Sequence, residues 1–245
     1  MKSTTMIKTT VLLMGLVLIA GVAAQAGTIT GTVKYEGKVP PLKPIDISSN
    51  PACHAMQHGP VVNEMLVLGE GQTMANIVVS VTSGLEKKDY PVSSEPVVLD
   101  QKNCVYIPHV VGVQAGQQLK ILNSDNTMHN VHSLSRVNKA FNAGMLAAKP
   151  GQPKELLKTI SKVEEKPFII KCDVHPWMRA YVFTADHPFF AVTKEDGKFS
   201  IDGLPAGTYE IRAWHERLPA QTGTVTVTAD GTATIDFALA IPKKK

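Results

Sequence analysis

The sequence predicts an all-β protein, and three observations carry that expectation. Apolar and polar residues alternate at period two, as in Ile29, Val33 and Tyr35 against Thr30, Thr32 and Lys34, the spacing of a strand with one face in a core. Ala75–Thr82 is a short, nearly continuous apolar run, which reads as a buried strand rather than a helix. Turn formers divide the rest, with Asp-Gly at 196–197 and 230–231.

The elements follow in order. Residues 1–26 read as a secretory signal peptide, with Lys2 and Lys8 ahead of an apolar stretch from Val11 to Ala24 and a small-residue cleavage site at Ala24-Gln25-Ala26. That stretch is shorter than the roughly 20 residues a membrane span needs. The expected product is therefore periplasmic or secreted, with no membrane span after cleavage. A first β segment occupies 27–90, interrupted by the Pro-rich run Lys38–Pro44. Val113–Asn123 alternates Leu119 and Ile121 around Lys120 and is the next clear strand. Residues 133–153, with Gly144, Pro150, Gly151 and Pro153, read as loop. Leu156–Ile160 and Phe168–Lys171 are expected to form a hairpin, although a helical period can also be drawn through Leu156–Val163. Arg179–Thr184 is a strand, and residues 187–240 form a further β segment with a hairpin at Asp196-Gly197 and alternating residues on either side of Asp230-Gly231.

Charge excludes one class of partner. Loss of Lys2 and Lys8 with the leader leaves 23 basic against 21 acidic side chains, and no basic stripe with interleaved aromatics appears, so nucleic acid is not expected. Enzyme motifs are missing as well: the sequence contains no G-x-S-x-G, no H-E-x-x-H, and no H-x-H pair of the kind multicopper enzymes need. The absence of C-x-x-C-H excludes covalent haem.

The chemistry concentrates in Cys172-Asp173-Val174-His175-Pro176-Trp177-Met178, a thiol, an imidazole and a thioether at C-x2-H-x2-M spacing, with a second imidazole upstream in Met128-His129-Asn130-Val131-His132. Two His, one Cys and a distant Met are the donor set of a mononuclear blue-copper site. The competing reading of the Cys172 loop alone is a buried strand end with an inert thiol and a packing Met.

These two segments, within residues 96–184, resemble those of the cupredoxins, and the His-Pro-x-Met ending is similar to amicyanin more than to plastocyanin. The resemblance implies a Greek-key β-sandwich holding one type 1 copper, with His129, Cys172 and His175 as strong ligands, Met178 as the weak axial one, and Asn130 tying the two ligand loops together. It implies single-electron transfer to a redox protein such as a c-type cytochrome or dehydrogenase, with no catalytic reaction. The alternative is a copper-binding or structural module of the cell envelope without electron transfer. If Cys172 binds copper, Cys53 and Cys104 are left as a disulfide or as two unrelated buried thiols. The His175 edge, flanked by Pro176 and Trp177, is expected at the surface as a docking patch, or else Trp177 packs inward. His132, His109 and His215 read as structural and His187 as a linker residue, while His54 and His58 are a weak candidate for a second metal site.

Gly197-Lys198-Phe199-Ser200-Ile201-Asp202-Gly203-Leu204-Pro205-Ala206-Gly207-Thr208-Tyr209 resembles the second half of the carboxypeptidase regulatory-like (transthyretin-like) sandwich, and Gly27–Val33 with Ala75–Val79 resembles its first half. The economical arrangement is one small sandwich with the cupredoxin-like unit inserted in it. The other is a 27–90 segment extending the cupredoxin-like unit, with 187–240 standing alone.

Overall fold

The computed structural model describes residues 26–57 and 59–242. The expected leader falls outside them except for Ala26, and so does His58. The described chain is β almost throughout, with strands β1 (Gly27–Tyr35), β2 (Val78–Ser83), β3 (Val97–Lys102), β4 (Val105–Ile107), β5 (Val110–Gln114) and β6 (Gln118–Asn123). They continue as β7 (His129–Ser133), β8 (Asn142–Met145), β9 (Lys154–Thr159), β10 (Phe168–Lys171) and β11 (Arg179–Ala185). The last are β12 (Phe190–Val192), β13 (Lys198–Leu204), β14 (Gly207–Trp214), β15 (Gln221–Val227), β16 (Thr232–Thr234) and β17 (Phe237–Leu239). A short α-helix, α1 (Pro51–Met56), and a 3-10 turn at Glu70–Gln72 lie between β1 and β2.

Four sheets enclose two cores. One sheet runs β5-β11-β10-β7-β8 and faces a second ordered β4-β3-β6-β9. Their inward residues, among them Leu99, Val111, Leu119, Ile121, Val131, Ile170 and Val182, form one buried cluster. A third sheet runs β12-β2-β14-β15, and a fourth gathers β13, β16 and β17 on β1. Between them Ile29, Val33, Ile77, Val79, Phe199, Ile201, Leu204, Ile211 and Phe237 form the other cluster. The chain thus begins in this outer sandwich with β1 and β2, builds the inner one over β3–β11, and returns with β12–β17.

The sequence shows why the outer sandwich needs both chain ends. β1 alternates buried and half-exposed residues and sits at the centre of its sheet, antiparallel to β13 and parallel to β16 and β17. β2 has Val78–Val81 buried on both faces, as a central strand requires, and lies antiparallel to β12 and β14. Val78, Val110, Tyr181, Phe183, Phe190 and Trp214 join the two sandwiches through a third buried cluster. Gly112 is small for this reason, since a Cβ there would lie 2.4 Å from the Phe190 ring.

Three expectations about pairing are corrected. β9 pairs with β6 and β10 with β7 and β11, in opposite sheets, so Leu156–Ile160 and Phe168–Lys171 are not a hairpin. The Asp-Gly segments do turn, with Gly197 at φ +67 and Asp230 at φ +53, but their flanking strands also part: β12 joins β2 while β13 joins β1, and β15 joins β14 while β16 joins β1. Residues 133–153 contain β8, paired antiparallel with β7. Alternation specifies which face a strand buries and leaves its partner open. Short connections here arch from sheet to sheet.

Candidate metal centre

His129 opens β7, whose alternation places His129 and Val131 in the core and turns Asn130 and His132 outward. Cys172 and Met178 bound the loop between β10 and β11. The loop is closed on itself, because Cys172 N–H donates to Met178 O (3.1 Å) and Met178 N–H to His175 O (2.9 Å). His129 is 0% exposed, and Cys172, His175 and Met178 are each 1% exposed.

The side chains converge. His129 Nδ1 lies 2.9 Å from His175 Nδ1, and Cys172 Sγ lies 3.6 Å from the same His175 atom. One donor atom from each of His129, Cys172 and His175 lies within 4.8 Å of the others. Met178 packs in the same buried cluster. The structure brings His129, Cys172 and His175 together, and Met178 shares the buried cluster of Cys172.

Each donor is held from behind. Asp125, fully buried, accepts from His129 Nε2 at 2.8 Å and from the backbone N–H of Asn103 (2.6 Å) and Cys104 (2.8 Å). In neutral His129 this contact holds the proton on Nε2 and leaves the Nδ1 lone pair facing His175, an arrangement that orients metal-binding histidines. Asn130 N–H points at Cys172 Sγ (3.4 Å), and Asn130 Oδ1 accepts from Asp173 N–H at 2.5 Å, so Asn130 ties β7 to the Cys172 loop. Tyr106, buried between the two strands, donates to Asn130 O at 2.9 Å and lies 3.3 Å from Lys171 O. His132 faces outward and pairs with Asp173 at 3.0 Å.

These contacts set the protonation states. Burial works against a Cys172 thiolate, but hydrogen bonds from His129 and the backbone N–H groups of Asn130, His175 and Val174 outweigh it and lower the thiol pKa. Burial likewise opposes a His129 cation, and Asp125 with Cys172 outweighs it in the other direction. Burial, then the neighbouring His129, pushes His175 down. These shifts favour a Cys172 thiolate, a protonated His129 and a neutral His175 in the metal-free pocket.

One expectation fails at the surface. His175 does not present an edge to solvent. Asn50, the N-cap of α1, covers it with Nδ2 2.7 Å from His175 Nε2, while Asn50 Oδ1 accepts from Cys53 N–H at 3.0 Å. Trp177 packs inward, its ring centroid 5.2 Å from that of His175 and its Nε1–H donating to Cys104 O at 2.9 Å. Cys53 and Cys104 form a disulfide that ties α1 to the turn after β3. Segment 44–57 is therefore a cap over the centre. Asn50 and Asp125 escaped the sequence reading. Asn50-Pro51 is an N-cap followed by Pro at the first helical position, and Asp125 stands four residues before His129, the two signals that could have found them. His54 is exposed on α1, away from the converging donors.

Beside the loop a cavity of about 310 Å³ is lined by Pro176, Trp177 and Met178 on one side and by Glu64, His109 and Glu216 on the other. His109 lies between the two carboxylates, 3.5 Å from each, with Nδ1 3.1 Å from Arg179 O. This polar cluster sits where the two sandwiches meet.

Comparison with known proteins adds two findings. A family model, the carboxypeptidase regulatory-like domain, matches residues 179–240; its first strand, β11, lies in the inner sandwich and the rest in the outer one. Among solved structures the chain is similar to cupredoxins at low scores. A copper-containing nitrite reductase from Thermus scotoductus SA-01 is 14% identical with a TM-score of 0.33 over 42% of this chain, which spans only 25% of that one. A Cu(I) form of an amicyanin variant is 20% identical with a TM-score of 0.31, covering 42% of this chain and 100% of its own. A purple cupredoxin from Nitrosopumilus maritimus is 16% identical with a TM-score of 0.30, covering 36% and 99%. No curated protein matches the chain.

Proposed function

We propose that this protein holds one copper ion through His129, Cys172 and His175, with Met178 as a weak fourth ligand, and passes single electrons to a redox protein. The convergence of three buried donors, two imidazoles and a thiol primed toward thiolate, carries the reading. Bonds of about 2.0–2.3 Å to one small ion place its N and S donors roughly 3–4 Å apart, which is the spacing of Nδ1, Nδ1 and Sγ here. Thiolate and thioether suit Cu(I), and imidazole suits both oxidation states. Copper supplies the one-electron couple when bound. The chain's own residues do the rest: β7 and the β10–β11 loop fix the donors, Asp125 orients His129, Asn130 points its N–H at the sulfur, and the cap excludes water.

We read residues 96–184 as a unit inserted in an outer regulatory-like sandwich, supported by the pairing of β1 with β13, β16 and β17. A disulfide, which forms and persists in oxidising compartments, supports an exported location. Among the described residues no helix is long and apolar enough to cross a membrane. A second reading has its own observation: with His175 covered by Asn50 and Trp177, the centre is built to hold copper without releasing electrons. Protein-film voltammetry of the copper-loaded protein separates the two. Reversible one-electron waves with fast exchange support the carrier, and slow or absent exchange supports the holding module.

A further inference from the structure

The disulfide is not remote from the centre. The sulfurs of Cys53 and Cys104 and one ring nitrogen of His175 all lie within 4.8 Å of one another. Cys104 makes a third such group with Asp125 and His129. The chain has three cysteines, and each lies beside His175, with Cys104 and Cys172 also beside His129; both imidazoles are fully buried. Such crowding is not needed to staple α1 to the turn after β3. It also raises the question of how an ion reaches donors that are 0–1% exposed beneath a cap. The cap's polar ties to the inner sandwich are few: the Asn50–His175 contact, the Gln57 side chain on Asn103 O, and the disulfide.

We propose that Cys53 and Cys104, when reduced, form with His175 a second soft-metal site that receives Cu(I) and hands it to His129, Cys172 and His175. This rests on the copper reading above. The donor chemistry is that of Cu(I), which two thiolates and an imidazole prefer over harder ions. The step balances with an external dithiol as reductant: one of its sulfurs attacks the Cys53–Cys104 bond, a mixed disulfide forms and is resolved, two electrons and two protons pass to the cysteines, and the reductant leaves as a cyclic disulfide. Cu(I) binding then releases the two thiol protons. Breaking the S–S bond also removes the covalent tie on the cap, which opens the way in. His175 belongs to both donor sets, so the ion passes by exchanging the Cys53 and Cys104 sulfurs for Cys172 and His129 around one common ligand. Re-formation of the disulfide by exchange with an external disulfide, which takes up the two electrons and two protons and leaves as thiols, closes the cap over the filled centre.

The test is alkylation mapped by peptide mass spectrometry on the full-length protein, with Cu(I) presented as its bathocuproine disulfonate complex under nitrogen. Cys172→Ala removes a ligand of the first site only. After reduction with dithiothreitol and removal of the reductant, this variant should take about one equivalent of Cu(I), which displaces the thiol protons, and Cys53 and Cys104 should be alkylated at least roughly tenfold more slowly. With the disulfide intact it should take none. In the reduced, unmutated protein, Cys53 and Cys104 should be protected first and Cys172 later, as the ion moves; this arm holds even if the variant misfolds. Protection of Cys172 with Cys53 and Cys104 freely alkylated throughout overturns the proposal. A protein that binds no copper in either its reduced or its oxidised form sinks the copper reading and the handover with it, whereas the dithiol site alone is decided by alkylation.

Discussion

Asn50 and His175, 125 residues apart in the chain, meet at 2.7 Å beneath the cap, and the same Asn50 side chain caps α1 through Cys53 N–H. One amide cannot serve both once His175 binds a metal. On the proposed copper reading, a neutral His175 ligating through Nδ1 would carry its proton on Nε2 and need an acceptor there, so Asn50 would turn Oδ1 toward it and give up the Cys53 N–H. Metal binding would thereby be coupled to the N-terminus of α1.

The first prediction follows from that coupling. In the metal-free protein Asn50→Ala should lose about 1 kcal/mol for the missing cap and a further 1–3 kcal/mol for leaving buried His175 Nε2 without a partner. Asn50→Asp offers acceptors to both donors at once and should bind copper at least about tenfold more tightly than Asn50→Ala, the scale of effects from residues behind metal ligands. Urea unfolding and competitive copper titration read the two effects. Equal copper affinity in both variants would show that Asn50 acts on α1 alone.

The outer sandwich gives the second prediction. A fragment of residues 187–240 lacks β1 and β2, the central strands of its two sheets, and too small a core remains for it to fold alone. Its far-ultraviolet circular dichroism should be that of an unfolded chain, without a cooperative thermal transition. A folded fragment would contradict the inserted arrangement.

The third concerns acid. Burial would raise the Glu164 carboxyl, but hydrogen bonds from Ser135, Val137 and Asn138 outweigh it and hold its pKa below 4.5. Glu164 Oε1 gathers the Arg136 and Val137 N–H groups at 3.1 Å each and so fixes the turn after β7. A depressed folded pKa means this stabilisation is present above pH 4.5 and is lost as pH falls through the folded value. Glu164→Gln should lower stability at neutral pH and flatten its decline in acid, as urea midpoints measured across that range will show. An unchanged acid limb would remove Glu164 from the account.

The period-two alternation made the β class legible, and Cys172-x2-His175 with the upstream His129 made three converging side chains legible, because those residue types at that spacing have few other uses. Pairing was not legible. Leu156 and Phe168 each reveal a buried face, and nothing local says that β9 and β10 belong to opposite sheets. The cap was missed for a related reason: α1 has six residues, too few to show a helical period, and its link to His175 spans 125 residues. Surface exposure of His175 was inferred from the loop alone, and Asn50 and Trp177 reverse it.

The fourth prediction separates the ligands. Met178→Leu should keep the visible colour of the copper-loaded protein and raise its reduction potential, since only the weak axial donor is lost. An unaltered potential would mean that Met178, buried in the core cluster, only packs.

The most direct test of the central claim is the visible spectrum of the protein on stoichiometric addition of Cu(II), beside that of Cys172→Ala. Cys172 thiolate bound to Cu(II) should give an intense visible charge-transfer band that saturates at about one equivalent, and the variant should be colourless. A wild-type protein that binds no copper, or a band that survives in Cys172→Ala, would contradict the account.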